Sequence, residues 1–154
     1  MRVLERGVTR RVDGIGGKEY NTAMPFTLQK LTPNLIVSNV ERSLAFYCDV
    51  LGFTRTHAVP DASPFVFAGV QSGPVEIFLN APGPATEEYP VFAGKPIGGT
   101  LTLFIEVVAI EKVYDELETK VKVTMPLEKK WYGVTEFAFE DPDGYVITFA
   151  ERTP

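Results

Sequence analysis

Apolar and polar residues alternate with period two along most of this chain, and the pattern switches to the helical period twice. At 31–38, Leu35 and Val37 face one way and Asn34 and Ile36 the other, which predicts a strand with one apolar and one mixed face. Asn39 is suited to cap a helix, and 40–51 puts Leu44, Tyr47, Cys48 and Leu51 on one helical face. Gly52 stands where a left-handed residue would end that helix. Three more strands are predicted at 53–59, 65–70 and 75–80, each bounded by Pro, Gly or Ser.

The same order then recurs. Residues 100–107 alternate Leu101, Leu103 and Ile105 with Thr100, Thr102 and Phe104. Ile110, Val113, Tyr114 and Leu117 make a second amphipathic helix, and 121–125 is a further strand. Two β-rich runs, 134–140 and 145–151, flank Asp141-Pro142-Asp143-Gly144. Pro142 presets a turn φ and Gly144 accepts a positive one, so these runs form a hairpin. The fold class expected is α+β, with two βαβββ halves offset by about 70 residues, the scale of a duplicated half-domain. The Pro- and Gly-rich stretch 81–99 joins the halves, and within it Tyr89 and Phe92 are placed to cover a pocket.

Composition narrows the possibilities. A chain of 154 residues with 45% hydrophobic residues has material for one domain of ordinary size. It contains no apolar run of about 18 residues, so no membrane partner is expected. A net charge of −5 argues against a nucleic-acid partner. Cys48 is the single cysteine, which excludes an intrachain disulfide and a thiolate zinc cluster, and the cytoplasm is the expected compartment. Residues 1–24 differ from the rest: their local charge is +2, against −7 for the remainder. They are expected to be an N-terminal extension to a single domain at 25–154, whose halves are approximately 28–80 and 100–152.

Three stretches resemble the vicinal oxygen chelate superfamily, which includes glyoxalase I, extradiol dioxygenases, fosfomycin-resistance enzymes and bleomycin-resistance proteins. The first runs from Pro33-Asn34-Leu35-Ile36-Val37 through Phe46-Tyr47-Cys48-Asp49-Val50-Leu51-Gly52-Phe53. The second is the hairpin Phe139-Glu140-Asp141-Pro142-Asp143-Gly144-Tyr145. The third, Trp131-Tyr132-Gly133-Val134-Thr135-Glu136-Phe137, is similar to the bleomycin-resistance branch. The resemblance implies two cupped mixed sheets around a cavity, with helices outside, and in many members a homodimer. It also implies metal-ligand positions on the first and last strand of each half. These fall at Thr32, Glu76, Thr100 and Thr148, of which only Glu76 has a metal-binding side chain. The residues themselves agree: transition-metal sites want several imidazoles and carboxylates, and His57 is the only histidine. No metal and no cofactor are therefore expected, and His57 reads as a strand histidine away from those positions.

Alternation also assigns faces. Val75, Ile77 and Leu79 claim the helix side, so Glu76, Phe78 and Asn80 turn into the cup. By the same rule Thr32, Asn34, Thr100, Thr102, Phe104 and Thr148 face inward, together with Phe137 and Phe139 from the last hairpin. Trp131 is either a stacking surface or a packing anchor. This profile of hydroxyls, amides, rings and one carboxylate suits a small-molecule site. The expected function is metal-free binding of a small aromatic or cationic molecule, of the sequestration or resistance type. The alternative is a lyase, isomerase or dioxygenase in which Glu76 is the catalytic group. A third reading is a binding or interaction module whose pocket has closed, and Glu76 itself reads also as a structural carboxylate bonded to neighbouring threonines.

Overall fold

The computed structural model describes residues 25–152, so the expected extension at 1–24 lies outside the described residues. Among the described residues, every helix and strand belongs to one compact unit that begins at Thr32. The first half runs β1 (Asn34–Ile36), α1 (Val40–Leu44), β2 (Thr54–Val59), β3 (Phe67–Ser72) and β4 (Val75–Asn80). A connecting helix, α2 (Pro82–Glu88), leads to β5 (Thr102–Glu106), α3 (Ile110–Leu117), β6 (Lys122–Lys129), β7 (Val134–Glu140) and β8 (Val146–Arg152). Two four-stranded sheets result, sheet A in the order β1-β4-β3-β2 and sheet B in the order β5-β8-β7-β6. In each, the first strand pairs parallel with the last and the remaining pairs are antiparallel.

Asn39 caps α1, its Oδ1 accepting from the Arg42 N–H at 2.7 Å. The helix then loosens into a π-helical segment, Ala45–Val50, and closes at Gly52 with φ +77°. The helix-facing sides of both sheets feed one hydrophobic core, which includes Leu35, Val37, Ile77 and Leu79 from sheet A and Leu103, Ile147 and Phe149 from sheet B. Leu101 falls just before β5 and is exposed instead of packing beneath a helix.

The halves are joined by a polar clasp. Tyr47 is fully buried, and its hydroxyl donates to Asp141 Oδ2 at 2.9 Å. The other Asp141 oxygen accepts the backbone N–H groups of Asp143 and Tyr145, each at 2.9 Å, which fixes the hairpin turn. Burial pushes the Asp141 carboxyl above its ordinary value, against the pull of these three donors. Asp143 reaches back to Arg42 at 3.1 Å, and Tyr145 donates its hydroxyl proton to the Ile36 carbonyl at 2.8 Å. The Asp-Pro-Asp-Gly stretch is thus both a turn and the lock between the halves.

Candidate functional site

Strand register defines the cup face of sheet A. Asn34 lies beside Phe78, Phe78 beside Gly69, and Gly69 beside His57, so these four positions cross the sheet in one row. The next row is Ile36, Asn80, Phe67 and Val59. Glu76 and Gln71 stand opposite each other in a third. The helix takes the other face, where Ile77 and Leu79 are buried. Glu76 is half-buried, and Thr32 donates its hydroxyl proton to Glu76 Oε2 at 3.3 Å.

Three rings meet on this face. His57 stacks on Phe67 at 5.4 Å between centroids and meets Phe78 edge-on at 5.7 Å, while Phe67 and Phe78 are 5.2 Å apart. Such spacings are those of favourable ring pairs. His57 gets there through a register shift between Arg55 and His57, which departs from the simple alternation of β2. Gly69 makes room for it: a Cβ at that position would collide with the His57 ring. His57 Nδ1 lies 2.9 Å from Thr56 Oγ1. The sequence reading sets His57 away from the implied ligand positions, and the structure packs it against Phe67 and Phe78 on the cup face. The signal in the sequence that points to it is Gly69 itself, since a glycine inside a strand marks a bulge or a close approach.

At the β1–β4 end the connection roofs the face. Tyr89 and Phe92 close over Asn34, Ile36 and the buried Asn80, leaving a cavity of about 230 Å³. A larger adjoining cavity of about 430 Å³ shares Asn34, Ile36 and Phe92 and extends to Thr100 and Leu101. Thr100 therefore lines that cavity, ahead of β5.

Sheet B presents a different surface. Thr102 and Phe104 of β5 pair with Val146 and Thr148 of β8, and Phe104 is 54% exposed. Charged pairs flank them: Lys122 with Glu140 at 2.7 Å, Lys130 with Glu128 at 2.7 Å, and Arg152 with Glu106 at 2.9 Å. Tyr132 donates its hydroxyl proton to the buried Glu136 at 2.9 Å, a bond that holds the Tyr132 hydroxyl above its ordinary value. Trp131 sits in the β6–β7 turn, 95% exposed and edge-on to Tyr132 at 5.4 Å, so it does not anchor the sheet.

Phe137 and Phe139, expected in the cup, stand on the opposite face. Phe137 pairs in register with Phe149, and Phe139 with Ile147, so all four share the helix side. Phe137 packs edge-on to Tyr114 of α3 at 5.0 Å, and Phe139 lies 6.4 Å from Phe46, both fully buried.

The four positions that the resemblance implies for metal ligands carry residue types poorly suited to a transition metal. Thr32, Thr100 and Thr148 offer hydroxyls beside the single carboxylate of Glu76, and the His57 imidazole belongs to the ring cluster. Among the described residues, no three His, Cys, Asp or Glu side chains group closely enough to hold an ion. Such sites need imidazole, thiolate or carboxylate in number.

Comparison with known proteins agrees with this architecture. The family model "Glyoxalase/Bleomycin resistance protein/Dioxygenase superfamily" matches residues 27–149. A bleomycin resistance protein from Geobacillus stearothermophilus is 30% identical over 129 residues, 78% of this chain and 94% of that one. A superfamily member from Sphaerobacter thermophilus superposes with a TM-score of 0.65 at 25% identity, covering 82% of this chain and 98% of the other. The bleomycin-binding protein of Streptomyces verticillus, solved with copper(II)-bleomycin, shares the fold with a TM-score of 0.55 at 22% identity, covering 80% and 96%. The chain belongs to the glyoxalase/bleomycin resistance protein/dioxygenase superfamily.

Proposed function

We propose that this protein sequesters, without a metal and without transforming it, a small molecule that carries a flat ring and a positive charge. The observation that carries this reading is the cup face of sheet A, on which three rings pack together and one carboxylate, Glu76, shares the face. Ring faces attract flat and cationic groups, and a half-buried carboxylate makes a strong charge-assisted contact with a cation. Relatives named as bleomycin resistance proteins support a binding role of this kind. The site is proposed to be completed by a second copy, since Phe104 and Trp131 on the sheet B side stand exposed in one chain. The compartment proposed is the cytoplasm. Among the described residues, no helix is long and apolar enough to cross a membrane.

The test is calorimetric titration with metal-free bleomycin and, separately, with acridine orange as a simple flat cation. Glu76→Gln keeps the shape and removes the charge, so it should weaken binding by roughly 1.5–3 kcal/mol. Phe78→Ala should weaken it by about 1 kcal/mol. Both ligands should raise the melting temperature of the wild type by mass action. Unchanged affinity in both variants would place the ligand elsewhere. A light-scattering mass of one chain at high concentration would remove the second copy from the site.

A further inference from the structure

The larger cavity beneath the connection, part of whose wall is exposed, has a charge character opposite to that of the open face. Its volume of about 430 Å³ falls in the range of small-molecule sites. Ile36, Phe92, Ile97 and Leu101 contribute apolar walls, and Asn34 and Thr86 contribute polar groups. Among the described residues that line it, Lys95 is the only charged one, and none is Asp or Glu. Lys95 is exposed, and its ammonium stands 5.9 Å from the centroid of the Phe92 ring, which also lines the cavity. Among the described residues, Lys95 has no carboxylate partner.

The wall that carries this group is anchored. Gly98 has φ +91°, and a Cβ there would collide with the Asp143 carbonyl oxygen, so only glycine lets the loop seat on the β7–β8 turn. On the same rim the Tyr145 hydroxyl donates to the Ile36 carbonyl. The cavity is thus shaped in advance of any ligand, which lowers the cost of binding. A lone ammonium beside an apolar chamber selects a molecule with an apolar body and a single negative charge. Absence of arginine from the lining disfavours phosphate, which is best held by a planar fork of donors.

We propose that this cavity, which shares Asn34 and Ile36 with the open face but includes neither Glu76 nor the three rings, is a second binding site for small apolar carboxylates, with Lys95 as the counter-ion. Asn34 and Thr86 supply hydrogen bonds to the ligand, and Phe92 and Leu101 enclose its body.

Titration calorimetry on the full chain with 4-phenylbutyrate, 4-phenylbutanol and 4-phenylbutylamine tests this. The carboxylate should bind about tenfold more tightly than the alcohol, and the amine more weakly than either. Lys95→Met should lower carboxylate affinity about tenfold and leave the alcohol unchanged. Leu101→Trp, at an exposed position that the fold should tolerate, should fill the cavity and abolish binding of both. Glu76→Gln should leave carboxylate binding unchanged, whether or not it affects bleomycin, so the two sites can fail separately. The proposal is overturned by an amine that binds as well as the acid, or by Lys95→Met without effect on the acid. It is equally overturned by loss of acid binding in Glu76→Gln, or by no acid binding up to about 10 mM.

Discussion

The two halves share strand order, parallel first–last pairing and a helix packed on the sheet, yet they start that helix differently. α1 is capped by its own chain, through Asn39 at 2.7 Å from the Arg42 N–H. α3 has no such cap. Its first residue follows Ala109, which is left-handed with φ 58° and offers no side-chain acceptor. The donors are met from β8 instead: Glu151 accepts from Ala109 N–H at 2.9 Å and from Ile110 N–H at 3.0 Å, across 42 and 41 residues. The requirement to satisfy the first N–H groups is the same in both halves, and the topology tolerates a local or a distant answer. The cup faces diverge as well. Sheet A gathers three rings on the face that also carries Glu76, whereas sheet B sets ion pairs on the face of an exposed Phe104. The two halves therefore repeat the core face more faithfully than the cup face.

The contrast between faces can be broken most directly with matched aromatic truncations. Phe137→Ala removes a fully buried ring from the shared core and should cost about 3–5 kcal/mol in urea unfolding. Phe78→Ala, on the half-buried cup face, should cost about 1–2 kcal/mol. Equal losses would mean that the two faces are not divided as the register divides them.

A smaller effect is expected where the halves meet. Asp141→Ala leaves the buried Tyr47 hydroxyl without its acceptor and releases two turn N–H groups, at a cost of about 2–3 kcal/mol. Adding Tyr47→Phe to Asp141→Ala should then cost little more, and a double-mutant cycle reads the coupling. Additive losses would show that the clasp does not couple the halves.

The helix starts should differ least in size and most in pH response. Asn39→Ala should cost about 1 kcal/mol at any pH above the acid range. Glu151 is held below its ordinary value of 4.5 by the Ile110 and Ala109 N–H groups. A lowered carboxylate contributes its full stability above its unfolded value and loses it as pH falls through the folded one. The wild-type melting temperature should therefore drop as pH falls below 4.5, and Glu151→Gln should lose less over that window. Parallel melting curves for wild type and Glu151→Gln would show that the distant cap carries no pH-dependent stability.

Local chemistry in the chain was enough for most of the elements and for part of the face assignment at the candidate site. Asn39 and Gly52 bound the first helical segment, and Asp141 to Gly144 make the hairpin, because capping and turn preferences act within a few residues. Alternation in 75–80 put Ile77 and Leu79 in the core, and Glu76, Phe78 and Asn80 opposite. The connection hid α2, since its Pro and Gly content reads as loop and gives no apolar stripe, although Pro82 is well suited to a first helical position.

What stayed out of reach depended on partners far along the chain. Period two says that Phe137 and Phe139 share a face, and only pairing with Phe149 and Ile147 says which one. His57 enters the cup through a bulge whose other side is Gly69, so neither strand alone predicts it. The covered cavity needs a roof from the connection, a floor from β1 and a rim fixed by Gly98 on the hairpin. The residues determine which faces are apolar and where turns fall, because those preferences are local. Register, bulges and cavity walls were decided by the tertiary structure, because they follow from contacts between segments that the chain order keeps apart.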